Sequence, residues 1–161
     1  MTTAGKLPVE GGCSCGAARY QITARPIYVH CCHCTWCQRE TGAAFAVNAL
    51  IEASCVSLLA GHLVATEIPS VSRNGQVLHR CRQCQGVVWS NYAGAGDKVN
   101  FIRVGTLDDS SAVPPDIHIY TSTKLPWVVL PDGVPAVAEY YRRSDYWPAA
   151  SIARYKAARG T

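Results

Sequence analysis

The chain has 161 residues, 48% hydrophobic and only 16% charged, which suits one globular domain and excludes a disordered polymer. Its net charge of +4 sits in residues 142–161, where Arg142, Arg143, Arg154, Lys156 and Arg159 face the single acid Asp145. Residues 1–141 are formally neutral, which argues against a nucleic-acid platform.

The start, Met-Thr-Thr-Ala-Gly-Lys-Leu-Pro, carries no apolar leader, and no run approaches ~18 uninterrupted apolar residues. The expectation is a cytoplasmic protein without membrane attachment, whose nine cysteines stay reduced. Along the chain, residues 18–23 alternate as a strand, and residues 42–50 have strand composition. Residues 71–73 and 76–79 read as a hairpin around Asn74-Gly75, a pair suited to a tight I′ turn. Residues 99–104 and 117–121 are further strands. Helix is expected only after Cys37 and from Pro148, where Pro suits a first helical position. This predicts a mainly β single domain over residues 7–141. A basic C-terminal appendage, 142–161, follows; its short helix has Ile152 and Tyr155 on one face and could pack on a second subunit as a homo-oligomer.

The cysteines fall into clusters. Cys13 and Cys15 form a C-x-C pair, and Cys81 and Cys84 a C-x-x-C pair just after the predicted hairpin. Together they supply the four soft ligands of a closed, structural zinc site. The third cluster, Cys32, Cys34 and Cys37, is preceded by Cys31. Three thiolates with one open position are the pattern of a catalytic zinc. Such a site carries a formal −1, so it favours holding a substrate thiol as thiolate over hydrolysis. The frame is open, since Cys31 could replace Cys32; adjacent residues on extended chain point to opposite faces, so only one of them ligates. Cys31 and Cys55 otherwise read as small buried hydrophobes.

These residues in this order resemble the glutathione-dependent formaldehyde-activating enzyme family, which includes the centromere protein V type. The resemblance runs through Gly12-Cys13-Ser14-Cys15-Gly16, then Cys32-His33-Cys34-Thr35-Trp36-Cys37-Gln38-Arg39-Glu40-Thr41-Gly42. It resumes at Arg80-Cys81-Arg82-Gln83-Cys84 and ends at His118-Ile119-Tyr120-Thr121-Ser122-Thr123-Lys124-Leu125-Pro126-Trp127. It implies coiled antiparallel sheets, a β-tent related to zinc ribbons. It also implies two Zn2+ sites, a structural one on Cys13, Cys15, Cys81 and Cys84 and a catalytic-type one on Cys32, Cys34 and Cys37. The implied reaction joins glutathione to formaldehyde as S-(hydroxymethyl)glutathione, a carbon–sulfur lyase in reverse. One departure stands out: the family places Gly directly after the second knuckle cysteine, and here Gln85 precedes Gly86, so the turn is expected one residue further on.

Glutathione carries two carboxylates and one amine, so a cationic clamp is expected. Arg39, after the ligand loop, and Lys124, in the C-terminal motif, are the candidates. His118 reads as a satisfied core histidine and His33 as pointing away from the ligands, and Trp36, between two ligands, reads as packing in preference to walling the site. Two competing functions are a non-catalytic zinc-stabilised binding module of the same fold and a redox sensor using the cysteines from Cys31 to Cys37.

Overall fold

A computed structural model describes residues 6–161; the first five residues, part of the segment read as lacking an apolar leader, lie outside it. The chain is mainly β. Strands β1 (Val9–Gly12), β2 (Arg19–Ile22) and β5 (Val56–Ala60) pair antiparallel as a small sheet in the order β1-β2-β5. The larger sheet holds β3 (Tyr28–Cys32), β4 (Ala46–Glu52), β6 (Leu63–Ile68), β7 (Gln76–Cys81), β8 (Val87–Tyr92), β9 (Val99–Arg103) and β10 (Ile117–Ile119). Its order is β10-β3-β4-β9-β8-β7-β6, and it does not close into a barrel. All its pairs are antiparallel except β10 with β3, where His118 stands beside Cys31.

Both faces of the large sheet are buried along its middle strands, and β4 shows how the sequence achieves this. Ala49 and Ile51 enter one apolar cluster with Tyr20, Trp89 and Ile102; Ala46 and Leu50 enter a second with Cys32, Cys37 and Ile119. The period of two delivers alternate side chains to opposite faces. Between β5 and β6 the chain turns at Gly61, whose φ is +80°. A Cβ there would lie 2.2 Å from the Ala17 carbonyl oxygen, so only glycine fits.

Helix α1 (Thr35–Thr41) begins two residues before Cys37, earlier than the sequence suggests. The other helices are α2 (Arg143–Tyr146) and α3 (Ala149–Arg159). The C-terminal segment is docked on the sheet. Trp147 and Tyr155 are buried in the second cluster, Arg154 pairs with Glu52 at 2.6 Å, and Ser151 Oγ donates to the Ile27 carbonyl at 2.6 Å. No helix among the described residues is long and apolar enough to cross a membrane.

Two local expectations need correction. The hairpin exists, but its first strand is β6; residues 71–73 lie in the connection, with Arg73 at φ 63° and Gly75 at φ 78°. The knuckle after Cys84 is not displaced either. Gln85 itself takes the left-handed conformation at φ 62°, its N–H donating to the Cys81 carbonyl at 2.9 Å. A non-glycine residue there costs on the order of 1 kcal/mol, and Gln85 Nε2 gains a hydrogen bond to the Arg82 carbonyl.

Candidate functional site

All nine cysteines are free thiols. Those of Cys13, Cys15, Cys81 and Cys84 converge, every Sγ within 4.8 Å of the others. The β1–β2 hairpin supplies the first pair, around a turn with Gly16 at φ 77°. The end of β7 and its turn supply the second. Cys13 Sγ accepts the Ala18 N–H at 3.3 Å and Cys81 Sγ the Gln83 N–H at 3.4 Å. Sulfurs gathered at the turns of two hairpins and accepting backbone N–H bonds fit a tetrahedral thiophilic ion such as zinc.

Cys32, Cys34 and Cys37 form a second cluster with the same mutual spacing. Cys32 ends β3. Cys34, extended at φ −66° and ψ 152°, caps α1 and accepts the Cys37 N–H at 3.3 Å. Gly42, at φ 66°, ends the helix. Gln38 Nε2 donates to the carbonyls of His33 and Thr123 at 2.7 and 2.9 Å, and Thr123 Oγ1 donates to the His33 carbonyl at 3.0 Å. The turn after β10 thus holds the ligand loop in place.

All three thiols are buried. The hydrogen bonds donated by Cys32 and Cys37 hold the Cys34 thiol down at about 3, while the neighbouring sulfurs, and then burial, push Cys32 up. Such a set favours one shared negative charge without a cation, and a bound cation would relieve the repulsion of three.

This cluster lines a cavity of about 310 Å³; the four-thiol cluster does not. The remaining wall is neutral apart from Arg143, with aromatic rings of His30, Trp36, Tyr92, Phe101, Tyr120, Tyr140 and Tyr155 on one part and polar Asn48, Ser70, Ser72, Asn74 and Gln76 on another. Burial pushes His30 down to about 3, so it is neutral at pH 7, and pushes the Tyr120 phenol up to about 12. Tyr120 is strained, at φ 55°. A non-glycine residue in this region commonly marks a functional site.

The pleat of β3 puts the adjacent cysteines on opposite faces. Cys32 faces the cavity, whereas Cys31 faces His33 and His118 on the other side. His33 Nε2 lies 3.6 Å from Cys31 Sγ and 2.9 Å from His118 Nδ1. His33 therefore points away from the cavity, as expected. His118 is only half satisfied: its Nε2 and His33 Nδ1 are buried without partners.

The structure brings neither proposed clamp residue into the cavity. Arg39 is exposed on α1, and Lys124 Nζ donates to the carbonyls of Leu125 and Val128 at 3.1 and 2.7 Å. Trp36 is not a packing residue; it is 44% exposed at the cavity wall. Sequence reasoning missed Tyr140, Arg143 and Tyr155. The density of aromatic residues between 140 and 155, unusual for a solvated tail, was the signal that could have found them.

The stretch that carries both thiol clusters is similar to known proteins. The family described as glutathione-dependent formaldehyde-activating enzyme matches residues 8–123. A Halomonas elongata protein provisionally named for the same activity is 24% identical over 125 residues, covering 74% of this chain and 79% of that protein. A crystal structure of a Rhodobacter sphaeroides protein aligns with a TM-score of 0.46 and 20% identity, over 62% of this chain and 88% of the other.

Proposed function

Because the chain belongs to the glutathione-dependent formaldehyde-activating enzyme family, we propose that it adds a thiol to an aldehyde, with glutathione and formaldehyde as the substrates. The sulfur–carbon bond forms, the carbonyl π bond opens, and the thiol proton ends on that oxygen, giving S-(hydroxymethyl)glutathione. Run backwards, the reaction is that of a carbon–sulfur lyase.

Cys32, Cys34 and Cys37 would hold one zinc ion, and Cys13, Cys15, Cys81 and Cys84 a second, structural one. When bound by three thiols with a fourth position open, zinc supplies a place where a substrate thiol ionises near neutral pH. The rest falls to the chain's own side chains. Tyr92, Phe101 and Tyr155 exclude water from the reacting atoms. Tyr120 and Tyr140, kept protonated by burial, are hydroxyl donors for the oxygen on which charge develops. Holding both reactants in one cavity turns a bimolecular addition into a local one. A cytoplasmic setting, where the thiols stay reduced, suits this chemistry.

One observation carries the reading: of the two thiol clusters, only the three-thiol one lines the cavity. Metal analysis with and without glutathione tests it. The expected result is two zinc ions per chain, one of them labile and perturbed by glutathione. Two inert ions with no glutathione binding would overturn it.

A further inference from the structure

Arg143 enters the cavity wall from α2, beyond the residues that match the family. Its guanidinium lies 4.4 Å from the Tyr155 ring centre and 5.4 Å from that of Trp147. Stacking of this kind uses the flat face of the group, while its five N–H donors point outward in the plane. Nη2 donates to Tyr155 Oη at 3.2 Å, and Nε is buried with no partner.

Three other arginines are treated differently. Arg19, Arg103 and Arg154 each hold a carboxylate, at Asp108, Glu40 and Glu52. Among the described residues no carboxylate pairs with Arg143, and Asp145 pairs with Arg142 instead. A half-buried guanidinium with unused donors and no counter-ion is costly unless a ligand supplies the anion. No Asp or Glu lines the cavity, so an ammonium group would find no carboxylate there.

We propose that Arg143 recognises the carboxylate of the incoming thiol, and that the cavity admits one carboxylate while an ammonium stays outside. This rests on the thiol-adding reading above. For glutathione it fixes the direction of entry: the glycine carboxylate goes in beside Arg143, and the zwitterionic γ-glutamyl end remains at the mouth.

The test is calorimetric titration of the zinc-loaded full chain with glutathione and with its ethyl ester at glycine, which lacks the inner charge but keeps the thiol. The wild-type protein should prefer the free acid about tenfold or more. Arg143→Gln should reduce that preference to about twofold or less, and Arg143→Lys should restore part of it. A purely structural role would lower the melting temperature without changing the ratio. No preference in the wild type, or an unchanged preference in Arg143→Gln, overturns the proposal. If neither thiol binds at all, the thiol-adding reading fails, and S-methylglutathione, which has no thiolate to offer a metal, decides the anion site by itself. An Arg143-dependent preference for its free acid over its glycine ester, seen by ligand-observed NMR, upholds the site; equal behaviour of the two removes it.

Discussion

Arg103 Nη2 donates to Glu40 Oε2 at 2.6 Å, and the two side chains are only 8% and 10% exposed. Arg103 also donates to Asn48 Oδ1 at 2.7 Å. The pair bolts α1, which carries Cys37, to β9 in the middle of the large sheet. Breaking one side leaves a buried charge unpaired, so Arg103→Met should destabilise the fold by about 3–5 kcal/mol. Denaturant unfolding measures this. The same variant should lose affinity at the Cys32/Cys34/Cys37 site while retaining metal at the other.

The two thiol clusters should separate under mutation. Cys81→Ser removes a group that ties β7 to the β1–β2 hairpin, so soluble, folded protein should fall sharply. Cys34→Ser should leave a folded chain that has lost thiol binding. Soluble yield and circular dichroism check both, and equal loss of folded protein in the two variants would refute the division.

Acid should weaken the fold through His118 and His33. Burial lowers both below the ordinary histidine value of 6.5, His33 to about 4. The unfolded chain therefore binds more protons between pH 6.5 and about 4, and stability is lost as pH falls through that window. Unfolding midpoints between pH 7.5 and 4.5 should decline, and neither ring should titrate near 6.5 by NMR. A ring resonance titrating at the ordinary value would show that the pair is not held neutral.

Residues 142–161 can be tested by deletion. Trp147 stacks on Tyr28 at 5.2 Å, and its Nε1 donates to Tyr141 Oη at 2.6 Å. Removing a buried tryptophan alone costs about 3–5 kcal/mol. The chain ending at Tyr141 should unfold at markedly lower denaturant than the whole, whereas Trp147→Ala should approach that loss. An unchanged midpoint would make the segment dispensable to a self-sufficient domain over residues 7–141.

The thiol clusters were legible because ligand spacing is a local property. Cys34 and Cys37 sit one helical turn apart, and Cys13 and Cys15 flank one tight turn. The strands at residues 19–22 and 99–103 followed from alternation. Arg39 misled because nearness in sequence is not nearness on a helix: two residues beyond Cys37, it turns to the opposite side, toward solvent. The cavity wall was illegible for a different reason. Tyr140, Arg143 and Tyr155 reach it only because the chain from residue 140 onward folds back, with α3 packed on β4 and β9. That docking rests on long-range contacts such as Arg154 with Glu52, which no local pattern encodes. Gln85 shows the limit of a residue-preference rule, since the turn geometry was kept and the local backbone cost accepted.

The placement of Cys31 and Cys32 on opposite faces of β3 also bears on oxidative damage. A peroxide diffusing into the cavity meets Cys32, Cys34 and Cys37, while Cys31 is screened from it by the strand itself. A bond between these two neighbours would require β3 to leave both β4 and β10, since it is paired on each side. Cys32 shares its face of the strand with two further thiols, whereas Cys31 shares the other face with two histidines.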